Sequence, residues 1–136
     1  MAFNPLNLPG SYPGEGTAGD DAARVVKGFA VKFNARDLQG MDEFLHFPHV
    51  ILAGEHLTIW DGPGQMPSDL FVELAKAGWH HSDYHEVTPV LVAPHKVHFY
   101  VHYTRNQPDG TVISDHRNLW IVTFDNGRWG IKQRSY

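Results

Sequence analysis

Between Asp20 and Asn34, the apolar residues Ala22, Val25, Val26, Phe29 and Phe33 recur at helical spacing, while Arg24, Lys27 and Lys32 fall elsewhere on the wheel. The pattern predicts one amphipathic helix with Asp20 as its N-cap. DLQGMDEFLHF predicts a short second helix presenting Met41, Phe44 and Leu45, ended by Pro48. HVILAGEHLTIW reads as a tight hairpin turning at Gly54 and Glu55. PSDLFVELAKAG predicts a third helix: Ser68 or Asp69 can cap it, Leu70 and Leu74 share a face, and Gly78 suits its exit. From there the chain is strand-like, broken at APHK, NQPDG and DNGR. Asn126-Gly127 is the strongest hairpin signal, because a type I′ turn needs residues that tolerate positive φ. The predicted order is helix, helix, hairpin, helix and a four-stranded meander, an α+β domain over residues 20–136.

Residues 1–19 carry three prolines and four glycines with little periodicity, which favours a flexible arm over a packed element. The remainder, in a chain of 136 residues with 42% apolar and 19% charged positions, is enough for one globular core. Net charge is -4 and the Lys and Arg residues form no stripe, so nucleic acid is not an expected partner. No apolar run approaches the roughly 20 residues of a membrane span, and MAFNPLNLPGSYPGEG lacks signal-peptide features, so a cytoplasmic location with no membrane partner is expected. The absence of cysteine excludes disulfides, thiolate metal sites and a Cys nucleophile.

Strand alternation assigns faces to the meander, because each turn carries side-chain parity into the next strand. A turn at Asn126-Gly127 pairs Phe124 with Trp129, Val122 with Ile131, Trp120 with Gln133 and Asn118 with Ser135. A four-residue QPDG loop pairs Arg105 with Val112, Tyr103 with Ser114, Val101 with His116 and Phe99 with Asn118. A five-residue loop would instead bring Lys96, His98, Tyr100 and His102 to that face, giving a poorer core. A turn at Pro94-His95 pairs Val92 with Val97 and Val90 with Phe99, which sets Glu86 opposite Tyr103 and Tyr84 opposite Arg105. The concave face then holds Tyr84, Glu86, Tyr103, Arg105, Ser114, His116, Asn118, Gln133 and Ser135, a mixture suited to a small-molecule cavity.

GWHHSDYHE concentrates three histidines and two carboxylates. By the same alternation, His81, Asp83 and His85 point outward with His98 and His102. Their residue types suit zinc or iron, but neighbouring positions on one face of a strand are about 6.5 to 7 Å apart and converge poorly. The expectation is no metal site and a polar outer face.

The pieces ARVVKGFAVKFNARDL, HFPHVILAGEHLTIW, the long strand after GWHH and the terminal hairpin LWIVTFDNGRWGI resemble the nuclear transport factor 2-like superfamily. The resemblance spans roughly residues 20–136 and is closest to small bacterial members grouped with polyketide cyclases. Their D-G-x-W turn corresponds to DNGRW, with one extra residue. It implies a cone: a strongly curved mixed sheet wrapped around three N-terminal helices, with a concave apolar pocket and homodimerisation through the outer sheet face. It implies no single reaction. The carboxylates of ketosteroid isomerase have no counterpart that can be placed in this sequence.

Glu86 and His116 are the candidate proton carriers, since a carboxylate partly removed from water has a raised pKa and imidazole transfers protons near neutrality. Tyr84 and Tyr103 are candidate donors to an enolate oxygen. Arg105 can bind an anion or hold Glu86 ionised, and Asn118 can stabilise oxyanionic charge. Trp79 and His46 are secondary candidates for the cavity wall and mouth. No G-x-S-x-G, P-loop or G-x-G-x-x-G motif is present, and no cofactor is expected. The expected function is binding of a small apolar or aromatic ligand, with cofactor-free isomerisation, dehydration or cyclisation next to a carbonyl. The alternative is a non-catalytic binding or dimerisation module.

Overall fold

The computed structural model describes residues 17–136. The predicted arm lies outside the described residues except for Thr17 to Gly19, which open the first helix instead. Helix α1 spans Ala18–Asn34 and buries Ala22, Val26, Phe29 and Ala30 along one stripe. Its N-cap is Thr17, one turn earlier than predicted; Asp20 and Asp21 lie in the first turn and Lys32 in the last, where each complements the helix dipole.

Helix α2, Leu38–Asp42, is shorter than predicted and is capped by Asp37, whose Oδ1 accepts from the Gly40 N–H at 2.9 Å. Pro48 does not end it. Pro48 lies inside strand β1, Leu45–Ala53, after a cis Phe47–Pro48 peptide, and the pairing of β1 with its neighbour is interrupted between Leu45 and Val50. Proline has no N–H for the ladder, which suits such an interruption. The hairpin to β2, His56–Trp60, turns at Gly54 with φ +59°. Helix α3, Leu70–Lys76, follows, and the chain leaves it through Gly78 at φ +94°.

The meander consists of β3 (His81–Ala93), β4 (Lys96–Asn106), β5 (Val112–Asp125) and β6 (Arg128–Ser135). A six-stranded sheet in the order β2-β1-β6-β5-β4-β3 results, parallel only where β1 meets β6. Helix α1 lies across its concave face, with Phe29 edge-on to Trp120 at 5.6 Å. The buried core joins that helix to Val97, Phe99, Val101, Trp120, Val122 and Ile131. This is the expected α+β cone.

Four register shifts bend the strands and decide which side chains face inward. Val92 pairs with Val97 as predicted, but Val90 and His85 are extra residues in β3. Ile113 is extra in β5, and Lys132 in β6. The predicted β4–β5 pairing is displaced by two residues, so that Tyr103 faces His116 and Phe99 faces Trp120; the faces survive because a shift of two preserves parity. Phe124–Trp129 and Val122–Ile131 pair as predicted, but beyond Lys132 it is Arg134, not Gln133, that opposes Trp120.

Candidate functional site

The curved sheet, α1 and the segment around Met66 enclose a cavity of about 400 Å³. Its apolar wall includes Phe29, Phe33, Met41, Trp60, Met66 and Trp120. The polar wall begins with three rings in adjacent strands. Tyr84 on β3 stacks on Tyr103 on β4 at 5.0 Å, and Tyr103 stacks on His116 on β5 at 4.8 Å. The pairings Tyr84–Tyr103 and Tyr103–His116 set this order, since directly opposed residues bring their side chains together on one face. Burial pushes both phenols well above the usual tyrosine range, so they stand as neutral hydroxyls. Burial, then Arg105, lowers the His116 pKa, leaving a neutral imidazole at pH 7. Its Nε2 is 2.8 Å from Ser114 Oγ.

Arg134, only 7% exposed, also lines the cavity. Its guanidinium sits over the rings of Phe29, Trp120 and Trp60 at 5.1, 5.7 and 5.8 Å. Its Nη1 donates to the Tyr136 hydroxyl at 3.1 Å, and its Nε donates to His49 Nε2 at 3.1 Å. His49 is fully buried, stacks on Trp60, and donates from Nδ1 to the Ile131 carbonyl at 2.9 Å. The tautomer follows from those partners: Nδ1 carries the proton and Nε2 accepts. Burial, then Arg134, holds its pKa down to about 3.

Arg105 lines the same cavity, and its Nε is buried without a hydrogen-bond partner among the described residues. Ser82 and Tyr136 complete the polar lining. No Asp or Glu among the described residues lines the cavity.

No family model matches the chain, and no curated protein matches it. Solved structures do. A protein of unknown function from Pseudomonas putida KT2440, described as NTF2-like, is 11% identical with a TM-score of 0.69, over 90% of this chain and 87% of that one. The chain has the nuclear transport factor 2-like fold. A second NTF2-like protein, from Novosphingobium aromaticivorans and described as having a cystatin-like fold, is 14% identical with a TM-score of 0.60, over 87% and 79% of the two chains. A protein from Shewanella frigidimarina proposed to be a ketosteroid isomerase is 13% identical with a TM-score of 0.61, over 85% and 93%.

Within this NTF2-like cone, Tyr84, Tyr103, Arg105 and His116 line one cavity. Glu86 does not. The extra residue Val90 turns it outward opposite His102, where it is exposed and accepts from the Thr88 hydroxyl at 2.9 Å; the extra His85 then returns Tyr84 to the inside. Asn118 is buried on the inner face but does not line the cavity, and its Nδ2 has no partner among the described residues. Trp79 is buried beside Phe33 and Phe71, donates to Ser82 Oγ at 3.0 Å and lies outside the cavity wall. His46 is also away from the mouth: it is 3% exposed and its Nε2 is 3.0 Å from the Arg128 carbonyl. Gln133 and Ser135, placed on the concave face by simple alternation, are displaced by Lys132, and Arg134 and Tyr136 take that role.

On the outer face, His85 Nε2 is bonded to Thr104 Oγ1 at 2.8 Å, and His102 Nε2 to Asp115 Oδ2 at 3.1 Å. His81 Nε2 lies 3.5 Å from Asp83 Oδ2. Among the described residues, no three His, Asp or Glu side chains gather as a metal-holding group. No helix among them is long and apolar enough to cross a membrane.

Proposed function

We propose that the protein binds a small apolar or aromatic molecule inside the cone, and that His116 moves a proton next to a carbonyl of that molecule. The observation that carries the reading is the ladder Tyr84–Tyr103–His116 on the wall of a cavity of about 400 Å³, a size suited to a small ligand. A neutral imidazole can take a proton from the carbon next to a carbonyl. The resulting enolate oxygen would accept hydrogen bonds from the Tyr84 and Tyr103 hydroxyls, which burial keeps protonated. Return of the same proton to a different carbon completes an isomerisation. Glu86 has no part, because its carboxylate lies outside the cone.

A second reading, binding without turnover, is favoured by the Ser114–His116 hydrogen bond, which engages one of the two ring nitrogens available for proton transfer. Proton NMR in deuterium oxide separates the two. With an aromatic ketone such as 2-acetylnaphthalene bound, catalysis predicts enzyme-dependent exchange of the methyl protons, lost in His116→Ala. Ligand binding with no exchange above the buffer rate supports the second reading and removes His116 as a proton carrier.

A further inference from the structure

We propose that the ligand carries an anionic oxygen group, a carboxylate or an enolate, that pairs with Arg134 and Arg105 inside the cone. The inference rests on the cavity being a ligand site and adds the charge that the ligand must bring.

Two guanidinium groups line the cavity, and among the described residues neither forms a salt bridge and no Asp or Glu side chain shares the wall. Taking an ion out of water is costly unless an opposite charge and hydrogen bonds replace the lost hydration. Arg134 finds hydrogen bonds from its own chain but no anion: its partners are the Nε2 of neutral His49, the Tyr136 hydroxyl and the faces of aromatic rings. These partners engage Nε and Nη1. The other terminal nitrogen, Nη2, has no hydrogen-bond partner among the described residues. Arg105 adds a second cation on the same wall, with a buried Nε also left without a partner.

A planar guanidinium matches a carboxylate better than any neutral group, because its N–H bonds are parallel and charge-assisted. The surrounding rings of Trp120, Phe29 and Trp60 suit a flat apolar body joined to that anion. The chemical class is therefore an aromatic or conjugated acid, or a ketone bound as its enolate. Were Arg134 only a pillar stacked between rings, a neutral ligand of the same shape would bind equally well.

Isothermal titration calorimetry of the full chain with 2-naphthoate and with the neutral, similarly shaped 2-naphthamide tests this. The expected result is 2-naphthoate at least about tenfold tighter, with the preference falling toward parity in Arg134→Met and reduced in Arg105→Met. Equal or tighter binding of 2-naphthamide by the unaltered protein overturns the anion inference and leaves the cavity reading standing. Binding of neither probe overturns both. The comparison on the unaltered protein decides the matter even where Arg134→Met fails to fold.

Discussion

The guanidinium of Arg134 donates from Nε to Nε2 of His49 at 3.1 Å, while the opposite edge of the imidazole donates to the Ile131 carbonyl at 2.9 Å. A buried neutral histidine thus serves as the acceptor that aims a buried arginine. The arrangement ties β1 to β6 where those strands run parallel, and it depends on the imidazole staying uncharged.

That dependence predicts a pH profile. His49 has a pKa of about 3 in the folded protein, against about 6.5 in an unfolded chain. Between those values the unfolded state binds the proton, so this contribution to stability is fully present above about pH 6.5 and is lost as the pH falls toward 3. At pH 5 the loss from His49 alone is roughly 2 kcal/mol. His98 and His116, both lowered by burial, act in the same direction. Urea unfolding at pH 7.5 and pH 5 should show the drop, and His49→Phe should flatten the slope whatever its own stability. An NMR titration in which the His49 ring protonates near pH 6.5 would contradict the lowered pKa on which this prediction rests.

Close contact between β6 and His46 yields a second prediction. A Cβ at Gly130 would lie 2.7 Å from His46 Cδ2 and 2.9 Å from its Nε2, the atom bonded to the Arg128 carbonyl. The ring must move, so Gly130→Ala should cost about 1–3 kcal/mol in denaturant unfolding. His46→Ala in the same chain should recover part of that loss, giving a coupling of about 0.5 kcal/mol or more in a double-mutant cycle. Additive effects would show that the two side chains do not meet.

Glu86 offers a negative prediction. Its carboxylate is exposed on the outer side of β3, so Glu86→Gln should shift stability by no more than about 0.5 kcal/mol and leave affinity for 2-naphthoate unchanged. Calorimetry on the variant checks both. A tenfold change in affinity would place Glu86 at the ligand, with β3 in the unbulged register.

Much of this architecture is legible in the sequence. Asn126-Gly127 fixes the last hairpin, and the apolar pairs Val92–Val97 and Val122–Ile131 fix the strands next to their turns. Error enters with distance from those turns, because one extra residue reverses every face beyond it. SDYHE offers no apolar alternation to reveal the extra His85, and in PVLV both faces are apolar, so the extra Val90 leaves no break in the pattern and Glu86 is assigned to the wrong side. The β4–β5 connection is one residue longer than the four-residue reading, since Asn106 pairs with Val112, and the extra Ile113 adds one more; the two shifts together preserve parity and leave Tyr103, Arg105 and His116 on the expected face. Arg134 is missed because Lys132 reverses parity after Ile131. The available signal is Tyr136: an aromatic two residues after Arg134 shares its face and marks that face as inward.

The two β1 histidines illustrate a different limit. His46 and His49 are both buried and both bond to carbonyls of the β6 segment, but only His49 also reaches a side chain of the cavity wall. Pro48 hides this from sequence reasoning, since it reads as the end of a helix and removes β1 residues 45–48 from the strand pattern altogether.

The central claim, that the cone takes an anionic small molecule against Arg134, is tested most directly by a crystal structure of the protein soaked with 2-naphthoate. The account predicts difference density inside the cavity, with the carboxylate within about 3 Å of the Arg134 guanidinium and the ring system against Trp120. Density with the carboxylate turned away from both Arg134 and Arg105, or a cavity closed by its own tyrosines, would contradict it.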